Sequence, residues 1–198
     1  MAASKFDRLS RLTHTGTVEL RTKRLTLRRF RAEDAASAFR NFTGQPETTE
    51  YLAWEPHRSL SEAEAWVGKW AEKYGDPAFY RWAIDLSGEV IGSIHLIEPH
   101  DRALACELGY YIGPAYWGRG IATEAGLAVR DHVFTTLGMN KLRAWHYADN
   151  AASGAVLKKL GMTVEGVLRQ ETRLADGRFS DVITYGILAS EWRSIPKT

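Results

Sequence analysis

A chain of 198 residues, 44% of them hydrophobic, has material for one globular domain with its own core. Its 26 basic and 24 acidic side chains leave a formal charge of only +2, so nothing argues for a nucleic-acid partner held by phosphate contacts. No apolar run approaches the ~18 to 20 residues of a membrane span, no signal-peptide pattern opens the chain, and the lone Cys106 has no internal disulfide partner, which fits a reducing, cytoplasmic setting.

In chain order, residues 1–18 are polar and aperiodic and are expected to form a loose or extended arm, with the domain running over 19–198. Leu25 and Leu27 alternate with Thr26 and Arg28 as a first strand. Ala35, Ala38, Phe39 and Phe42 then predict a helix over Ala32 to Phe42, followed by a connection from Gly44 to Pro56 that carries Tyr51 and Trp54. Ser59 and Glu62, three apart, open a second helix bearing Trp66, Val67, Trp70 and Tyr74. Phe79 to Leu86 and Glu89 to Ile97 read as two strands joined at Ser87-Gly88.

The stretch Glu107 to Ala125 organises the chain. Leu108, Tyr110 and Ile112 alternate with Glu107, Gly109 and Tyr111 as a strand, which Gly113-Pro114 ends. Beyond Gly118 and Gly120, Ala122, Ala125, Val129, Val133 and Leu137 fall within about 120° on a helix. A Gly-x-Gly turn feeding a helix N-terminus leaves several N–H groups free for an anion such as a pyrophosphate. A dinucleotide fingerprint is missing its third glycine, where Thr123 stands, and no Gly-Lys-Ser/Thr of a Walker loop follows. On this stretch alone, a turn that merely joins strand to helix remains an equal alternative.

After Gly138 come a strand at Lys141 to Tyr147, a helix from Ala151 to Leu160 capped by Asn150, and two strands, Thr163 to Leu174 and Phe179 to Leu188, around Asp176-Gly177. The order is β-α-α-β-β-β-α-β-α-β-β: a single α/β domain of about seven strands and four helices on a mixed sheet.

The segment Tyr116-Trp117-Gly118-Arg119-Gly120-Ile121-Ala122-Thr123-Glu124-Ala125 resembles the acyl-CoA pyrophosphate loop of the GCN5-related N-acetyltransferases (GNAT). Within that superfamily it is most similar to the branch that modifies ribosomal-protein N-termini (RimJ/RimL-like). A second block from Asn150 to Met162 with Glu165-Gly166, and the strand Arg24 to Arg28, resemble further motifs of that branch, so the likeness spans roughly Leu20 to Leu188. One departure is Trp117, where the superfamily usually has Gln or Arg. The resemblance implies a mixed, mostly antiparallel sheet, acetyl-CoA as co-substrate, and an amine acceptor bordered by the Gly44–Pro56 region.

Moving an acetyl group from a thioester to an amine requires a base, a donor for the carbonyl oxygen, a proton for the leaving thiolate, and close approach of the reactants. Glu107, a lone acid on an apolar strand where desolvation would raise its pKa, is the candidate base, and it matches the branch's catalytic glutamate. An exposed glutamate paired with an arginine is the competing explanation, and His146 on the following strand is the reserve base. By resemblance Ser153 faces the cofactor sulfur as acid, although a small residue in the first turn of a capped helix explains it equally well. Tyr110, Tyr111 and Ile112 are expected to offer backbone groups to the pantetheine arm. Trp117, Gly118, Arg119, Gly120, Ile121 and Ala122 are expected to cradle the pyrophosphate, with Asn150 touching the arm. Lys158 and Lys159 read as a solvated helix face. The six histidines show no ligand spacing, so no metal is expected. Three functions remain open: transfer to a protein N-terminal amine, transfer to a small amine such as an aminoglycoside, polyamine or amino acid, or a non-catalytic CoA-binding module. The residues leave oligomeric state open; the resembling proteins are often homodimers.

Overall fold

Period-two alternation in the chain becomes the eight strands of one sheet, in the spatial order β1-β2-β3-β4-β5-β6-β8-β7. The strands are β1 (Leu20–Arg21), β2 (Thr26–Arg28), β3 (Tyr80–Leu86), β4 (Glu89–His100), β5 (Ala105–Ile112), β6 (Lys141–Tyr147), β7 (Thr163–Arg173) and β8 (Phe179–Leu188). Every neighbouring pair is antiparallel except β5 and β6. The helices are α1 (Asp34–Ala38), α2 (Pro46–Thr49), α3 (Leu60–Ala71), α4 (Ile121–Thr135), α5 (Ala151–Lys159) and α6 (Ala189–Ser194). This computed structural model describes residues 12–174 and 177–196. Among the described residues there are thus one strand and two helices more than expected. The additions, β1, α2 and α6, are two, four and six residues long, too short for periodicity to register.

The sheet carries helices on both faces, and the alternation along β5 assigns its side chains to each. Cys106, Leu108 and Ile112 join a core with Val129 and Val133 of α4 and Leu157 of α5. Burial in that core pushes the Cys106 thiol up to about 12, so it stays a neutral core residue. On the other face, Tyr111 packs with Phe42, Ala38 and Val67, under α1 and α3. Ser59 caps α3 as expected: its Oγ accepts from Glu62 N (3.3 Å), while the Glu62 carboxylate accepts from Arg58 N (2.8 Å).

The helix expected over Ala32 to Phe42 is α-helical only through Ala38 and then widens into a π-turn, Phe39–Thr43. That turn inserts Phe42 fully into the core and lets the Asn41 side chain donate to Val90 O (3.0 Å), so tertiary packing overrides local helical preference. Arg28 ties this corner together, with Nη1 and Nη2 on Asp34 (2.8 and 2.9 Å) and Nε on Asp85 (3.0 Å).

Residues 1–11 of the expected arm, and the turn residues Ala175 and Asp176 of the final hairpin, lie outside the described residues. Residues 14–18 lie beside β3 and bend at Gly16-Thr17: Thr17 Oγ1 donates to Phe79 O (3.0 Å) and Trp82 Nε1 donates to Val18 O (2.6 Å). Among the described residues no helix is long and apolar enough to cross a membrane.

Candidate active site

The site originates where two parallel strands stop pairing. β5 and β6 are in register only at Ala105↔Lys141, Cys106↔Leu142 and Glu107↔Arg143, although β5 continues to Ile112 and β6 to Tyr147. Beyond Glu107 the two strands diverge, and an open cavity of about 1000 Å3 fills the gap. Gly113 N donates to Ile91 O on the β4 side (2.9 Å). Strand alternation therefore turns the amides of Tyr110 and Ile112 the other way, across the gap. The Trp117 indole closes this edge from outside, its Nε1 donating to Ile112 O (2.7 Å).

The glycine turn lies at one end of the cavity. Gly118 and Gly120 have φ of 72° and 73°, left-handed values that a Cβ would strain, and Gly120 is the N-cap of α4. The Trp117 amide is used within the turn, on Pro114 O (3.2 Å), and Glu124 N begins the helical ladder on Gly120 O (2.9 Å). Between them, the amides from Gly118 to Thr123 have no acceptor among the described residues, which is the anion-ready arrangement of a helix N-terminus. The turn is latched from the β1–β2 connection. Glu124 accepts from Thr22 Oγ1 (2.6 Å), Arg24 N (2.9 Å) and Arg24 Nε (2.7 Å), and Arg24 Nη2 donates to Arg119 O (3.0 Å). Burial opposes ionisation of Glu124, but these donors and the Arg24 charge outweigh it and hold the carboxyl below its usual value. The Arg119 guanidinium lies over the Tyr116 ring, 5.5 Å from its centroid, so Arg119 contributes backbone to the turn while its side chain points elsewhere.

Glu107 stands at the last paired position, half-buried, and one oxygen accepts from Trp145 Nε1 (2.8 Å). No arginine holds it among the described ion pairs. Across the gap Asn150 caps α5, its Oδ1 accepting from Ser153 N (3.1 Å). The Ser153 hydroxyl meets the Tyr110 hydroxyl at 2.8 Å. Burial pushes the Tyr110 phenol up to about 12, so it remains protonated, although the Ser153 contact pulls the other way. Of the expected site residues, Tyr110, Tyr111, Ile112, Trp117, Gly118, Gly120, Ile121, Ala122, Asn150 and Ser153 all border the same cavity as Glu107.

His146, the reserve base, also lines the cavity, and its Nε2 has no hydrogen-bond partner among the described residues. It is buried between β6 and α5, beside Gly154 and 5.4 Å from the Tyr185 ring, with Nδ1 2.7 Å from Tyr147 O. It lies on the opposite face of the sheet from Glu107, as the β5–β6 register requires.

On the Glu107 face the cavity continues into an aromatic slot. Tyr51, Trp54, Trp66, Trp70, Tyr111 and Tyr147 line it, drawn from the α2 region, α3, β5 and β6. Three slot residues escape sequence reasoning: Trp145, Arg81 and His95. Arg81 on β3 pairs with His95 on β4, which pairs with Gly109 on β5, so the three form a row across one face. Burial, with the Arg81 charge adding to it, holds His95 well below its ordinary value and therefore neutral. One signal was available: Arg81 is a lone charge in the apolar run Tyr80-Arg81-Trp82-Ala83-Ile84, the same pattern that singled out Glu107.

The sheet thus splits beside a free helix N-terminus, with a carboxylate at the fork. The family model for the acetyltransferase (GNAT) domain matches residues 24–163, and the chain belongs to that family of acyl-CoA N-acetyltransferases. It is 36% identical over 156 residues to the uncharacterized N-acetyltransferase YoaA of Bacillus subtilis, covering 76% of this chain and 86% of the relative. It is 28% identical over 195 residues to the ribosomal protein uS5 alanine N-acetyltransferase of Escherichia coli, covering 88% and 93%. Among solved structures, spermidine N-acetyltransferase from Vibrio cholerae in complex with CoA and spermine superposes with a TM-score of 0.73 at 25% identity, over 87% of this chain and 100% of that one. The family uses acetyl-CoA. Among the described residues no group of three or more His, Cys, Asp or Glu is placed to hold a metal.

Proposed function

We propose that this chain transfers the acetyl group of acetyl-CoA to a primary amine by direct attack, and that the amine is a peptide or protein N-terminus. The observation that carries this is the fork at Glu107↔Arg143, which places a carboxylate, a free strand edge and a free helix N-terminus around one cavity. Acetyl-CoA, when bound, supplies an activated acetyl thioester. The Gly118–Thr123 amides are suited to its pyrophosphate, and those of Tyr110 and Ile112 to its pantetheine arm. Glu107 takes a proton from the incoming amine, directly or through water, and Trp145 fixes the orientation of its carboxylate. The Ile112 amide faces the gap and is positioned to steady negative charge on a carbonyl oxygen. When the Tyr110 hydroxyl donates to Ser153 Oγ, the hydrogen of Ser153 is left for a thiolate.

The peptide acceptor is supported by the open aromatic slot, since flat rings accommodate an extended backbone and its side chains. A polyamine would find carboxylates only at Glu47 and Glu50 on the exposed rim, besides Glu107 and Asp149. The lone buried Cys106 supports a cytoplasmic setting for the same reaction. The test is acetyl-CoA turnover against peptide N-termini, polyamines and aminoglycosides. Peptides are expected to be acetylated best, and exclusive use of polyamines or aminoglycosides would overturn the acceptor assignment.

A further inference from the structure

Two arginines on neighbouring strands have different surroundings. Arg28 on β2 is held by two carboxylates, Asp34 and Asp85, and is fully accounted for by the fold. Arg81 on β3 has no carboxylate among the described residues. Its Nη1 donates to Tyr111 Oη (2.9 Å) and approaches Ser93 Oγ (3.4 Å), and its guanidinium carbon lies 4.0 Å from the Trp70 ring centroid. Its Nε is buried without a partner, and Nη2 has no acceptor among the described residues. A half-buried cation held by neutral groups is an expensive arrangement unless an anion completes it. Lys69 and Lys73 reinforce the field, with their ammonium groups 5.1 and 5.6 Å from the same Trp70 ring. Of the carboxylates lining the cavity, Glu47, Glu50 and Asp149 are exposed, and Glu107 is on β5, two strands from Arg81.

We propose that Arg81 receives a carboxylate of the acceptor: the substrate is an acidic N-terminal peptide, with Asp or Glu at its second or third residue. The proposal rests on acetylation of a peptide amine. The spacing comes from the sheet. Arg81 and Gly109 lie two strands apart, roughly 10 Å between backbones, and Glu107 is two residues from Gly109. An extended peptide advances about 3.3 Å per residue, so an amine at Glu107 brings the side chain of its second or third residue within reach of a guanidinium on a long stem. Stacking on Trp70 and the bond to Tyr111 fix the plane of that guanidinium, leaving Nη2 to donate to a carboxylate.

The experiment uses C-terminally amidated peptides in matched pairs, Ala-Glu against Ala-Gln and Ala-Ala-Glu against Ala-Ala-Gln, each extended by the same neutral tail. Turnover is measured in the wild type, Arg81→Gln and Arg81→Lys. Binding of the corresponding N-acetylated peptides is followed in parallel by tryptophan fluorescence, which needs no catalysis. The wild type is expected to prefer the acidic member by about 10- to 100-fold in kcat/KM, the range of a charge-assisted hydrogen bond. Arg81→Gln is expected to bring the ratio near one with acetyl-CoA affinity unchanged, and Arg81→Lys to retain part of it. Equal use of the pair by the wild type, or a preference that survives Arg81→Gln, would overturn the proposal. Arg81-dependent binding of acidic peptides with no acetylation of any amine would instead overturn the proposed reaction and leave the anion site standing.

Discussion

The two ends of the cavity are built from different material. The end proposed for the cofactor's pyrophosphate is one continuous stretch, Gly118 to Thr123, whose donors are backbone amides exposed by two left-handed glycines. The acceptor end is assembled from side chains of β3, β4, β5, β6 and α3, which meet only because the sheet sets their register. The first should tolerate changes of side chain and be broken by changes of backbone conformation; the second should behave the other way round.

Substitution at the junction of the two ends should have the largest effect. Glu107→Gln keeps the shape and the contact with Trp145, so steady-state kinetics should show a loss in kcat of about 100-fold or more, the usual worth of a general base. Calorimetry should find acetyl-CoA affinity unchanged. At the backbone-built end, Gly120→Ala puts a Cβ on a residue with φ of 73° at a strain of about 1–2 kcal/mol. The free turn relieves that strain by leaving the left-handed geometry and restores it on binding, so acetyl-CoA should bind about 5- to 30-fold more weakly by calorimetry, with acceptor preference unaltered. Ser153→Ala removes a hydroxyl without disturbing the Asn150 cap, which uses the Ser153 amide. It should lower kcat by about 10-fold, the worth of one hydrogen bond to the leaving sulfur, and leave both binding steps alone, whereas loss of folding would favour a purely structural serine. The smallest effect should come from Arg119→Ala, since its side chain lies on Tyr116: less than about a 3-fold change in acetyl-CoA affinity, in line with an exposed charge.

Acid sensitivity separates the latch from the turn it holds. Glu124 has a lower pKa folded than unfolded, so its contribution to stability is present above the unfolded carboxyl value, near ~4.3, and is lost as pH falls through the lower folded value. Melting curves of Glu124→Gln should lie below the wild type at neutral pH and converge with it in acid. Parallel curves over the whole pH range would show that the latch does not depend on the carboxylate charge.

What the sequence disclosed follows the same division. The strand–turn–helix at Glu107 to Ala125 and the caps at Ser59 and Asn150 are local, each encoded within a few residues, and they were legible. The strand Lys141 to Tyr147 was legible to its ends for the same reason. The helix α6 was not, because it is fixed by tertiary contact: Trp192 stacks on Phe134 at 5.4 Å and its Nε1 donates to Asp131 (2.7 Å). His95 and Trp145 were equally hidden as slot residues, since only strand register brings them beside Tyr111 and Glu107; Arg81 bore a local mark as a lone charge in an apolar run, but its place in the slot also follows from register. The fork between β5 and β6 was invisible too, because two well-formed strands carry no local mark of where they cease to pair.

The most direct test is an amide-resolved NMR titration of the protein with CoA. Saturating CoA should shift the amide resonances of Gly118 to Thr123, together with Tyr110 and Ile112, more than any others. Saturation that leaves those amides unmoved, or absence of binding at millimolar CoA, would contradict the assignment of the glycine turn and the open strand edge to the cofactor.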